Sequence, residues 1–199
     1  HSGPAPHAEY FGDGFPAEDR RDEFPGAMGV FVSEVMWWLY RPLTFMIWGG
    51  VFERFPKLKV MIVEGGTMFM LPPWLRLLDF QYSEGDISAK LGDFKSHLSL
   101  SPSGYFQRNV GIGASCVRRA DIEARDEIGL DKIMWGSDFP HPEGTWPNTK
   151  QYYKDTFSGL PEHDGRKILG GNAVDFYGLD KSKLRAVADE IGPEASLFN

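Results

Sequence analysis

Two kinds of apolar run alternate along this chain from Ser33 onward, and their spacing predicts its elements. Val60, Met61, Ile62 and Val63 follow one another without polar interruption at the end of Leu58–Val63. That is the pattern of a short strand buried on both faces of a parallel sheet. Ile133-Met134-Trp135 repeats it, and Gln107 to Ser115 carries a weaker version interrupted by glycine. Between the strands the spacing changes to three and four residues. Trp74, Leu77 and Leu78 show it within Met70 to Tyr82, where Pro72-Pro73 stands at the start, and this predicts a helix. Ser33 to Trp48 is dense in aromatic and aliphatic residues, and Pro42 predicts two helical pieces, with the proline in the first turn of the second. Arg118 to Ile128 has the charge density of an exposed helix that Gly129 would cap. Asn148 to Phe157, Glu162 to Tyr177 and Lys181 to Ile191 are further helices, after which "GPEASLFN" is expected to fray. Glu84 to Phe106 reads as mostly loop. Residues 1–30, rich in Gly, Pro and acidic side chains without a period, read as one long loop.

Strands followed by helices imply βαβ units, and therefore a parallel sheet covered by helices. No G-x-G-x-x-G follows a strand and no G-x-x-x-x-G-K-[ST] occurs, so the dinucleotide and P-loop folds are not indicated. The α/β fold expected is the later part of a (β/α)₈ TIM barrel, which typically takes about 250 residues. The chain reads as a single domain, 1–199: a loop over 1–30, βα units over 31–180 and a tail over 181–199. It begins His1-Ser2-Gly3 without Met, and is expected to be an N-terminally incomplete fragment.

Charge narrows the partners. A formal charge of −7 and scattered basic residues exclude nucleic acid, which needs a basic stripe, and weaken any case for an anionic membrane. No apolar run reaches the roughly 20 residues of a membrane helix. Cys116 is the single cysteine, so there is neither an intrachain disulfide nor a Cys-rich zinc site, and a reducing, cytoplasmic setting is expected.

Catalytic groups of a parallel barrel stand at the C-terminal ends of its strands. Leu58–Val63 ends in Glu64, and Ile133–Trp135 runs into Asp138, with His141 three residues on between Pro140 and Pro142. His1 looks like the end of a strand whose body precedes it. These are N and O ligands suited to Zn²⁺, Mn²⁺ or Fe²⁺. Each has a plainer reading as well: Asp138 as a loop cap, Glu64 as the partner of an arginine, His141 as a structural hydrogen-bonder or a group facing substrate. His7, His97 and His163 read as solvated, and Cys116 as an inert buried thiol. Trp37, Trp38, Phe45 and Trp48 read as core and helix packing rather than a ligand cage, and Trp135 as barrel core or helix-facing.

The run "GSDFPHPEGTWP" resembles the last-strand motif of the amidohydrolase-2 (amidohydrolase-related) family, in the branch that includes aminocarboxymuconate-semialdehyde decarboxylase. Arg41 to Gly66 is similar to the segment around that family's sixth strand, and Arg166 to Leu179 to its closing helix. The resemblance implies a barrel with a mononuclear divalent metal, zinc, manganese or iron. In the family it is surrounded by an H-x-H on the first strand, a His after the fifth, a His after the sixth and an Asp after the eighth. His1 then takes the fifth-strand position and Asp138 the eighth. Glu64 stands where metal-binding members have His, and no H-x-H occurs in the chain. The implied metal set is His1, Glu64 and Asp138, and the catalytic pair is Asp138 and His141. The expected activity is hydrolysis of a small carboxylated or cyclic substrate by a metal-activated water, with Asp138 shuttling the proton. Non-oxidative decarboxylation of an aromatic or muconate-type acid is the close alternative. A degenerate barrel module without catalysis is the alternative of another class. Exposed barrel edges would favour a homodimer.

Overall fold

The computed structural model describes residues 26–65, 68–84 and 90–198. His1, His7 and most of the expected N-terminal loop lie outside them.

The three apolar runs become Val60–Val63 (β1), Val110–Ser115 (β2) and Ile133–Gly136 (β3). They form one parallel sheet in the order β1-β2-β3. Ile62 pairs with Ile112, Ile112 with Ile133 and Ser115 with Gly136. Parallel neighbours need crossovers, and helices supply them. Ala27–Trp48 (α1) and Val51–Arg54 (α2) precede β1; Leu71–Ser83 (α3) and Pro102–Asn109 (α4) join β1 to β2; Arg119–Glu123 (α5) and Arg125–Ile128 (α6) join β2 to β3. After β3 come Thr149–Phe157 (α7), Glu162–Arg166 (α8), a π-helical turn at Lys167–Gly171, Asn172–Tyr177 (α9) and Lys181–Ile191 (α10). The alternation is the one the sequence predicts. Among the described residues no helix is long and apolar enough to cross a membrane.

The central strand explains why its sequence signal was weak. A Cβ on Gly111 would lie 3.0 Å from both Met134 Cε and Phe176 Cε2, so the glycine is what lets α9 approach the sheet. On β3, the Trp135 ring meets Tyr153 edge-on at 4.9 Å and Phe157 at 6.0 Å, which seats α7 against the strand. Ile112, Ile122, Ile128, Ile133, Phe157 and Ile168 are sealed in this core. Each such side chain contributes about 1.5–3 kcal/mol relative to exposure.

Several boundaries differ from expectation. α1 is one helix running through Pro42 rather than two pieces. The proline costs one main-chain hydrogen bond, but Leu39, Tyr40, Leu43 and Ile47 are buried on one face and hold both halves against the same core. α4 starts inside the expected loop and takes Gln107, Arg108 and Asn109 from the expected strand, so that β2 begins only at Val110. The helix starts where the Ser101 side chain accepts from the Gly104 N–H at 3.3 Å, with Pro102 in its first turn. The charged segment from Arg118 divides at Ala124 into α5 and α6. The C-terminal segment does not fray as a whole: Leu197 and Phe198 are buried, and Gly159 N–H donates to the Phe198 carbonyl at 3.0 Å.

Candidate functional site

The C-terminal edge of the sheet is built from three residues that share an uncommon backbone. Glu64 follows β1, Cys116 follows β2 and Asp138 lies two residues beyond β3, with φ of 55°, 58° and 59°. They are the non-glycine residues with positive φ among those described. The left-handed region costs an L-residue about 1–2 kcal/mol, and such outliers cluster where function holds them.

Hydrogen bonds hold the edge in place. Gly65 N–H donates to the Gly113 carbonyl at 3.2 Å and Cys116 N–H to the Gly136 carbonyl at 3.0 Å, carrying the ladder past the ends of β1 and β2. Beyond β3 the chain turns twice, with His141 N–H on the Asp138 carbonyl at 2.7 Å and Gly144 N–H on the His141 carbonyl at 2.9 Å. Thr145 N–H then returns to the Ser137 carbonyl at 3.0 Å. A Cβ on Gly144 would stand 2.8 Å from the Ser137 carbonyl oxygen, so only glycine closes this loop. From α7 the Tyr152 hydroxyl donates to the Cys116 carbonyl at 3.0 Å.

Asp138 is the focus of the edge, its side chain 22% exposed. The Ser115 hydroxyl, on the neighbouring strand, donates to Oδ1 at 3.4 Å. His141 Nδ1 stands 3.6 Å from Oδ2, as its expected place beside the acid requires. That nitrogen also faces the Glu143 N–H at 3.3 Å. A neutral imidazole accepts from Glu143 there, and an imidazolium presents a proton to Asp138. The half-buried Cys116 thiol is pushed up by burial and by the Asp138 and Glu143 charges, against Arg118. It therefore stays protonated, as an inert thiol should, but it stands on the site's edge. Phe139 and Trp146 flank the same loop, edge to face at 5.9 Å, 64% and 68% exposed. Such a pair offers an aromatic surface next to a carboxylate.

Of the implied metal set, Glu64 and Asp138 stand among the described residues. Among the described residues no three His, Cys, Asp or Glu side chains come together to hold an ion. His1 lies outside the described residues. β2 stands between β1 and β3, which keeps the strands bearing Glu64 and Asp138 about 9–10 Å apart.

Ser115, Cys116 and Tyr152 were not singled out as site residues from sequence. Ser115 ends β2, the bound its sequence predicts, and Cys116 follows it, so reading this strand's end as the other two were read finds both. Of the histidines expected to be solvated, His97 is exposed but bonds the Trp48 carbonyl through Nε2 at 2.9 Å. His163 is exposed beside Asp164 at 3.2 Å.

Helices on a parallel sheet, with an acid and an imidazole beyond the strand C-termini, fit the later part of a (β/α)₈ barrel. Residues 38–179 match the amidohydrolase family, and the chain belongs to it. It is 29% identical over 148 residues to a 2-amino-3-carboxymuconate-6-semialdehyde decarboxylase of Dictyostelium discoideum, covering 69% of this chain and 36% of that protein. The crystal structure of 5-carboxyvanillate decarboxylase from Sphingomonas paucimobilis superposes with a TM-score of 0.55 at 28% identity, over 68% of this chain and 38% of that one. A dihydroxybenzoic acid decarboxylase from Polaromonas, solved with bound manganese and the inhibitor 2-nitroresorcinol, shares the fold with a TM-score of 0.56 at 20% identity. That likeness covers 84% of this chain and 48% of the other. The chain thus spans less than half the length of each of these relatives.

Proposed function

We propose that the protein to which this chain belongs is a non-oxidative decarboxylase of a small aromatic or muconate-type carboxylic acid. The observation that carries the reading is the Asp138–His141 pair at the mouth of β3, 3.6 Å apart and flanked by the exposed rings of Phe139 and Trp146. The character of the two relatives near 30% identity supports decarboxylation over hydrolysis.

In this reading the planar substrate lies against the aromatic pair with its carboxylated carbon toward Asp138. The protonated acid delivers its proton to that carbon. The bond to the carboxylate then breaks, its electron pair returns to the conjugated system, and carbon dioxide leaves. His141 returns a proton to Asp138. Ser115 fixes the carboxyl group while this happens, at 3.4 Å.

The test is turnover of a panel of aromatic and muconate-type acids by the full-length protein in deuterated water and, in parallel, in oxygen-18 water. Carbon dioxide release with one solvent deuteron at the vacated carbon is the expected result. Incorporation of labelled water oxygen without carbon dioxide would replace the reading by hydrolysis.

A further inference from the structure

Two arginines follow one another where the chain leaves β2, and the fold uses the guanidinium of the second. Arg119 pairs with Glu123 at 3.3 Å and donates to the Thr156 and Ser158 carbonyls at 3.3 and 2.7 Å, tying α5 to the end of α7. Arg118, three residues past the end of β2, has an exposed side chain. Among the described residues no carboxylate forms an ion pair with it. Its backbone, by contrast, is held firmly. The Arg118 N–H donates to Asp121 Oδ2 at 3.0 Å, and the other oxygen of that fully buried carboxyl accepts the Phe69 N–H at 3.1 Å. Asp121 thus ties the exit of β2 to the turn Met68–Met70 that follows β1.

This guanidinium stands beside the site at the strand ends. The Cys116 Sγ is 3.6 Å from the Glu143 carbonyl oxygen, so the thiol faces the loop that carries Asp138 and His141. Burial pushes the Cys116 thiol and the Tyr152 hydroxyl up, and the Arg118 charge opposes that shift in both. The same thiol feels the Asp138 carboxylate. One sulfur therefore lies within electrostatic reach of both the acid and the cation, a reach that salt limits to about 10 Å.

The chemistry of the edge says what such a cation is for. Glu64, Asp138 and Glu143 give it an acidic character, which repels an anionic ligand unless a cation faces that ligand. Arginine presents a planar fork of donors that matches a carboxylate bidentately. A grip on the carboxylate that leaves would stabilise the ground state, whereas a grip on a group that stays supplies binding energy without that cost. We propose that Arg118 binds a carboxylate of the substrate other than the one released, so that the acid taken by this site is a dicarboxylic one. The proposal rests on the decarboxylase reading for the reaction that follows binding.

Titration calorimetry on the full-length protein at fixed ionic strength tests it, with benzene-1,3-dicarboxylate and its monoamide as probes. Wild type should bind the dicarboxylate about tenfold to 10²-fold more tightly than the monoamide, the range of a hydrogen bond to a charged group. Arg118→Gln should lose that preference while binding the monoamide as wild type does. Arg118→Lys, which keeps the charge without the fork, should retain part of it. No preference in wild type, the full preference in Arg118→Gln, or an equal loss of both probes in that variant would overturn the proposal. If the preference depends on Arg118 but no acid releases carbon dioxide, the anion site stands and the decarboxylase reading falls.

Discussion

His141 Nδ1 lies 3.6 Å from Asp138 Oδ2, and one turn of loop puts the Glu143 N–H 3.3 Å from the same nitrogen. One ring atom therefore serves the backbone when neutral and the acid when protonated. If that exchange returns protons to Asp138, His141→Gln in the full-length protein should lower kcat by about 10²-fold, with melting temperature nearly unchanged because the ring is largely exposed. Steady-state kinetics on a proven substrate read this. An unchanged kcat would leave His141 a loop hydrogen-bonder.

Ser115 should matter less. Its bond to Asp138 is long at 3.4 Å, so Ser115→Ala is expected to reduce kcat by about tenfold or less. KM should move little, since the hydroxyl positions the acid rather than the substrate. A loss as large as that of Asp138→Asn would promote Ser115 from positioning group to direct participant.

The Arg125–Asp164 pair, 3.0 Å apart with side chains 19% and 16% exposed, ties α6 to α8. Burial pushes the Asp164 carboxyl up, but Arg125 and His163 outweigh it and hold the group below the usual carboxylate range. A carboxylate held low in the folded state adds stability above its unfolded pKa and loses it as pH falls through the folded one. Asp164→Asn should therefore cost about 1–3 kcal/mol at neutral pH. The difference from wild type should close as the pH falls through the lowered folded-state pKa. Urea titrations at a series of pH values measure it; a difference independent of pH would mean that the charge is not what stabilises the contact.

Gly165 sits directly under the Phe198 ring, where an added Cβ would be 2.0 Å from Cε1. Gly165→Ala should displace the C-terminal turn and destabilise the protein by about 1–3 kcal/mol. In a Phe198→Ala background the same change should cost far less, since the clash has gone. Equal costs in both backgrounds would show that the turn does not hold the tail.

How much of this was legible follows from what each residue's signal depends on. Ile133 to Trp135 is a continuous apolar run, so β3 and the acid beyond it could be read directly. β2 was legible at its end, Ser115, but not at its start, because Gln107 to Asn109 continue α4, and its signal was weak because Gly111 answers to a side chain on α9, a contact far away in sequence. Ser101-Pro102 is a local helix start, but with Tyr105 and Phe106 the only large apolar side chains buried in its eight residues α4 offered too short a period to detect. Trp37 and Phe45, expected in the core, are 52% and 66% exposed, for a different reason: periodicity says that a stripe exists, not that it is buried. Asp138 was legible as a site residue, while its support from Ser115 depends on strand register.

The account stands most directly on Asp138. Carbon dioxide release and solvent deuterium uptake should be measured for full-length wild type and Asp138→Asn on the best acid of the panel. The expected result is stoichiometric release with one deuteron in wild type, and a fall of at least about 10²-fold in the variant with its fold intact. Undiminished decarboxylation by Asp138→Asn would contradict the role assigned to the end of β3.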